Sequence, residues 1–196
     1  MHARIVVCAS GAGSGFAALV EAARMGSLRA EIAGLISNRP QSGVLGRAKL
    51  LKIPYAVVAP SNFASRDLWD EAMVTQLKRW RADWVVLAGF LLLIGPRLLA
   101  AYPQRIVNCH PALLPKFGGP GMYGVKVHES VLRAGELETG ITIHMIDGQY
   151  DRGHILAQKK VPILPGDTAS TLEQRVKAEE ARFYPEVLND LVTRIS

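Results

Sequence analysis

The residues best suited to chemistry sit in residues 106–124, which read IVNCHPALLPKFGGPGMYG. Asn108 and His110 stand two apart at the end of a β-branched, strand-like run. On a strand, alternate side chains share a face, so both point one way and Cys109 points the other. A carboxamide donates hydrogen bonds to an oxygen that is gaining negative charge. An imidazole takes up or gives a proton near neutral pH. The pair suits acyl transfer to an amine, and Cys109 reads as a core residue, not a nucleophile. The plainer alternative is two polar residues capping a turn before Pro111.

Such an imidazole needs an acidic partner. The stretch HMIDGQYDRGHI, residues 144–155, offers Asp147 and Asp151. Asp147 precedes a glycine, a hairpin signal, and Asp151 stands just before Arg152-Gly153 and a new strand. Either aspartate can be a turn residue, and spacing leaves both open. His144 shares a strand face with Thr142 and can line a cleft, whereas His128 falls on a helix and reads as structural. No GxSxG, HExxH or EF-hand pattern occurs.

A second feature is ASGAGSGF, residues 9–16, where a strand gives way to a helix. Glycines there let backbone N–H groups approach a ligand, and the helix N-terminus adds partial positive charge, a combination that suits phosphate. The dinucleotide fingerprint also requires an acidic residue about 20 positions on. The second strand ends ISNRP instead, which disfavours a nicotinamide dinucleotide. A tight turn without a ligand is the plain alternative.

The elements that must position these groups alternate regularly. Strands are predicted at 3–10, 30–38, 53–59, 82–89 and 105–110, and helices at 14–26, 42–52 and 65–80, with Ser65 as N-cap. The strands are near-continuously apolar, which argues for a Rossmann-like, doubly wound, mostly parallel α/β sheet. After Gly124 a helix at 125–135 leads to two strands, 140–147 and 153–163, forming a C-terminal β-hairpin. A terminal helix over 168–195 closes the chain, with a kink or interruption expected near Pro185. No repeat or linker appears, so residues 1–196 read as one domain.

Composition is that of an ordinary globular protein, 49% hydrophobic and 20% charged. The net charge of +6 is scattered, with no basic block to mark a nucleic-acid face. The most apolar run, residues 84–95, is too short to span a bilayer, and no signal peptide is evident. The two cysteines, Cys8 and Cys109, show no metal-ligand spacing. Expected on these grounds are a cytoplasmic setting, small-molecule substrates, no bound metal, and neither a nucleic-acid nor a membrane partner.

Three stretches together, NCHPALLPKFGG, GITIHMIDGQYDRGHILAQKKVPILPGDT and EEARFYP, resemble the phosphoribosylglycinamide formyltransferase family of purine biosynthesis. The resemblance runs essentially end to end. The Asn-x-His-Pro element alone belongs to the wider 10-formyltetrahydrofolate hydrolase and transferase superfamily. The family implies direct attack of the glycinamide ribonucleotide amine on the formyl carbon of 10-formyltetrahydrofolate, a co-substrate, in a monomer or homodimer. It implies Asn108 as donor to the formyl oxygen, His110 as general acid/base, and Asp151, rather than Asp147, as the partner of His110. It further implies phosphate binding by Gly13, Ser14 and Gly15, an amine contact from Glu180, and a folate pocket formed by Arg66 and Leu91, Leu92, Leu93 and Ile94, largely through backbone atoms.

Departures from the family pattern are equally legible. Many members carry Asn where Gly15 stands and a basic residue where Leu92 stands, so a phosphate contact and a glutamyl-tail contact are expected to be lost. The loop FGGPGMYG differs from the commoner form, and its glycines suit a lid. Rival readings are another amine acceptor such as a sugar nucleotide, water in a deformylase, a non-catalytic nucleotide-binding module and a nicotinamide oxidoreductase.

Overall fold

The longer apolar runs become strands that are largely buried. In the computed structural model, which describes residues 2–194, the strands are β1 (Ala3–Ala9), β2 (Ala30–Ser37), β3 (Tyr55–Val57), β4 (Trp84–Leu87), β5 (Ile106–His110), β6 (Glu138–Met145) and β7 (Ile155–Pro162). The helices are α1 (Ser14–Met25), α2 (Gly43–Leu50), α3 (Arg66–Arg79), α4 (Pro96–Ala101), α5 (Val125–Arg133) and α6 (Ala169–Thr193). One sheet holds all seven strands in the order β3-β2-β1-β4-β5-β6-β7. The first five run parallel, and β6 and β7 add antiparallel pairings at one side.

Strand alternation splits the core into two layers. Ile5, Val7 and Ala9 of β1 pack with Phe16 and Leu19 of α1 and Val176 and Leu188 of α6. Val6 and Cys8 face the opposite layer, with Trp69, Met73 and Leu77 of α3. The expected mostly parallel α/β sheet, hairpin and terminal helix are therefore observed, with boundaries shifted by no more than two residues. Ser65 caps α3 as expected, accepting from the Leu68 N–H at 3.2 Å.

Two short elements were absent from the sequence pattern, and one expectation changes. Beyond β4 the apolar run turns at Gly89 (φ 68°), where the expected strand was to end, and then enters α4 through Pro96, while a 3₁₀ turn occupies Pro60–Asn62. The interruption expected at Pro185 does not occur, and α6 runs unbroken from Ala169 to Thr193. Proline removes one helical N–H, but Pro185 itself is buried. Its neighbour Tyr184 donates to the carbonyls of Leu87 and Val107, both at 3.1 Å, which pins the helix to β4 and β5. The expected helix end at Ile195 lies outside the described residues. No helix among those described is long and apolar enough to cross a membrane.

The strand order reverses direction at β1, between β2 and β4. Open α/β sheets bind ligands beyond the carboxyl ends of strands at such a switch, and the main cleft lies there.

Candidate active site

A cleft of about 430 Å³ is lined by the glycine-rich turn, by residues 87–94, by Asn108 and His110 at the end of β5, by residues 119–124, by Asp151, and by Glu173, Lys177 and Glu180 of α6. One end is built from backbone. Gly13 caps α1 with φ 80° and contributes no side chain, so the first-turn N–H groups are left to a ligand. Helix α2 braces this turn: the Val44 N–H donates to Gly11 O at 3.0 Å, and Arg47 Nε donates to Ala12 O at 2.8 Å. A Cβ at Gly13 would lie 2.4 Å from a Val44 methyl, so both the left-handed backbone and the close packing demand glycine.

The other end is built from side chains. The antiparallel register sets Asn108 opposite His144 and His110 opposite Thr142. Thr142 is structural: its Oγ1 accepts from the Leu114 N–H and donates to Ala112 O, fixing the chain that follows His110. Asp151 arrives from the β6–β7 connection with φ 54°, a left-handed conformation that Asp tolerates better than most residues. Two residues later the chain passes so close to β6 that a Cβ at Gly153 would lie 1.8 Å from Met145 O, so only glycine lets it return to the sheet.

Asp151 faces both histidines and is tied to the loop at Gly119. Its Oδ2 lies 3.5 Å from His110 Nδ1 and accepts from the Gly119 N–H at 2.9 Å, and its Oδ1 lies 3.6 Å from His144 Nε2. His110 Nε2 lies 2.8 Å from Phe117 O. A carbonyl oxygen only accepts, so Nε2 carries the hydrogen and Nδ1 is the nitrogen that takes up a further proton beside the carboxylate. Burial pulls the His110 pKa below the ordinary imidazole value, against the opposing pull of Asp151. For Asp151 burial acts upward, but the two histidines and the Gly119 N–H outweigh it and hold the carboxyl below its usual range.

Glu180 stands where the two ends meet. Burial pushes its carboxyl up to about 7, with Lys177 pulling the other way. A Cβ on Gly15 would approach Glu180 Oε1 to 3.2 Å. The glycine thus gives that carboxylate room, which is a structural counterpart to the missing Asn side chain.

Of the residues singled out in the sequence, Asn108, His110, Asp151, Gly13, Ser14, Gly15, Glu180 and Leu91–Ile94 by number 91–94 all line this one cleft. Arg66 is not among the lining residues. Its guanidinium lies 4.0 Å over the Trp69 ring and donates to Leu93 O, bracing the 91–94 segment from behind. Asp147 forms a local turn, accepting from the Gln149 N–H at 3.0 Å. Cys109 is buried in the α1–α6 layer, where burial raises its thiol pKa well above the ordinary value. His128, read as structural, is buried yet borders the cleft, and its Nδ1 has no partner among the described residues. Sequence reasoning missed Lys177, which shares a helix face with Glu173 and Glu180 through i, i+3 and i, i+4 spacing. It also missed Arg39, which follows β2 at the rim.

Comparison with known proteins agrees with this architecture. A formyl transferase family model matches residues 3–188. A chloroplastic phosphoribosylglycinamide formyltransferase of Vigna unguiculata is 40% identical over 188 residues, covering 96% of this chain. This chain spans 60% of the length of that relative. The phosphoribosylglycinamide formyltransferase of Bacillus subtilis is 36% identical over 189 residues, covering 96% of this chain and 94% of that protein. A crystal structure of the corresponding protein from Bacillus halodurans superposes with a TM-score of 0.91 at 39% identity, covering 98% of this chain and 97% of that one. The chain belongs to the formyl transferase family.

Proposed function

We propose that residues 1–196 act as a single formyltransferase domain that moves the formyl group of 10-formyltetrahydrofolate to the amine of glycinamide ribonucleotide, a step of purine biosynthesis. The observation that carries this reading is one cleft holding the glycine-rich N-terminus of α1 at one end and the Asn108–His110–Asp151 cluster at the other. Relatives named for this activity, similar over nearly the whole chain, support it.

In this reading the first turn of α1 receives the ribonucleotide phosphate through backbone N–H groups of Gly13, Ser14 and Gly15. Glu180, ionised, holds the glycyl amine near the reacting carbon. Asn108 donates an N–H to the formyl oxygen as negative charge develops there. His110 takes the amine proton on Nδ1, the Asp151 carboxylate stabilises the imidazolium that forms, and the same proton passes to the folate nitrogen as the tetrahedral intermediate collapses and tetrahydrofolate leaves. The flat folate ring suits the half-buried segment 91–94, whose backbone is held by the Ser10 hydroxyl (Leu91 N–H to Oγ, 3.0 Å) and by Arg66. No step requires a metal or a covalent enzyme intermediate.

The test is formyl release from 10-formyltetrahydrofolate, followed by absorbance with and without glycinamide ribonucleotide. Release that needs the ribonucleotide supports the reading. Release without it identifies a hydrolase. No release in either case removes formyl-folate as the donor.

A further inference from the structure

We infer that His144 is a positioning residue: it fixes the Asn108 carboxamide with its N–H group, not its oxygen, turned inward to the reaction centre. This rests on the formyl-transfer reading above. His144 is fully buried, and both of its ring nitrogens have partners. Nδ1 lies 3.0 Å from Met145 O. That carbonyl can only accept, so Nδ1 carries the hydrogen and a neutral ring keeps its lone pair on Nε2. Nε2 lies 3.1 Å from Asn108 Nδ2. Only the amide nitrogen can donate to that lone pair, and a carboxamide oxygen there would face it lone pair to lone pair.

The consequence for Asn108 is directional. Of the two hydrogens on Nδ2, one is given to His144 and the second remains for a ligand in the cleft that Asn108 lines. Without an acceptor at position 144, the amide is free to turn by half a revolution and present its oxygen to the developing negative charge, which repels it. The backbone supports this assignment. Asn108 and His144 are paired across the β5–β6 ladder, so their separation is set by the sheet and not by a loop. Asp151 Oδ1 also faces this Nε2, at 3.6 Å, but a carboxylate can bond it only if Nε2 carries a proton, so with Nδ1 protonated the amide at 3.1 Å is the partner. A proton added to Nε2 would instead be drawn to Asp151 and would release the amide, so the neutral Nδ1–H form is the one that serves the reaction.

A double-mutant cycle tests this. His144→Leu removes the acceptor, and His144→Gln restores one through its side-chain oxygen. His144→Leu is expected to lower kcat by about tenfold to a hundredfold with KM for both substrates little changed, a fraction of the loss for removing an oxyanion donor outright. His144→Gln should recover most of that loss. In an Asn108→Ala background, His144→Leu should cost almost nothing further. An equal loss in both backgrounds, or a loss confined to KM, overturns the assignment. Nitrogen-15 spectra of the labelled wild-type protein give a readout independent of activity and of folding in the variants. The Nδ1–H tautomer at His144 supports the inference, and an Nε2–H tautomer or an imidazolium overturns it. That measurement stands even if the wild type transfers no formyl group, so failure of the functional reading and failure of this one are distinguishable.

Discussion

The two ends of the cleft are made from different parts of the peptide. At the glycine-rich turn the cleft-facing groups are backbone N–H donors, and α2 holds the turn from outside. At the β5–β6 end they are side chains, held by strand register and by one another. A backbone site is indifferent to side-chain identity but intolerant of crowding, which is why Gly15 can replace a larger residue whereas Gly13 has no room for one. A side-chain site differs: it depends on each atom's proton. Substitutions that preserve shape and change charge should therefore be severe at one end and mild at the other.

The largest expected effect comes from Asp151→Asn. Asn accepts the left-handed backbone at this position, so the melting temperature should stay close to wild type. Turnover should nevertheless fall by roughly 10²–10⁴-fold, because the imidazolium of His110 loses its counter-charge. Turnover close to wild type in a folded variant would remove Asp151 from the reaction.

Next in size is the steric counterpart, Gly13→Ala. The added methyl meets Val44 in a left-handed turn, at a cost of about 1–3 kcal/mol of stability. KM for the phosphate-bearing substrate should rise well above its wild-type value while KM for the folate stays put. Equal effects on both substrates would show that the turn does not bind phosphate.

Glu180 sits between the two ends and titrates. Its carboxyl is raised from 4.5 to about 7, so in the fold the neutral form is favoured. The stability this group contributes is complete below about pH 4.5 and is lost as pH rises through about 7. Glu180→Gln keeps the shape without the charge. Thermal unfolding should find the variant more stable than wild type at pH 8, by up to about 3 kcal/mol, and equal to it near pH 4. Binding of an amine needs the ionised form, so wild-type KM for the ribonucleotide should fall as pH rises through 7, and the variant's profile should be flat. A wild-type KM that does not change over that range would contradict the amine contact.

The smallest effects are expected at Cys109→Ala and Asp147→Asn, measured by the same turnover assay. The first is a buried core thiol that only borders the cleft and the second caps an exposed turn, so both should leave kcat near wild type. A large loss at Asp147 would reverse the choice between the two aspartates.

The sheet was legible because buried parallel strands are written as unbroken apolar runs flanked by helical spacing. The same property concealed α4: its short proline-led turn lies inside an apolar run that continues from β4, so hydrophobicity alone could not separate them. The helix continues through Pro185 where an interruption was one of the expectations: the tertiary anchor at Tyr184 is invisible to local propensity. Within the site, Asn108 and His110 were legible from strand period alone. Choosing Asp151 over Asp147 required the resemblance, and its contact with both histidines appears only once the hairpin returns through Gly153. His144 was recognisable as a face residue, but its pairing with Asn108 depends on antiparallel register, which spacing along the chain does not encode. Arg66 was expected as a pocket residue, and its actual reach to Leu93 depends on how α3 packs beneath the 91–94 segment.

The central claim is that one cleft joins a phosphate-binding backbone turn to a proton-carrying side-chain cluster. The most direct measurement is the turnover of 10-formyltetrahydrofolate by wild-type and His110→Ala protein, each with and without glycinamide ribonucleotide. Formyl release by the wild type only when the ribonucleotide is present, and its collapse in His110→Ala, is the predicted result. Release that ignores the ribonucleotide, or that survives loss of His110 undiminished, would contradict the account.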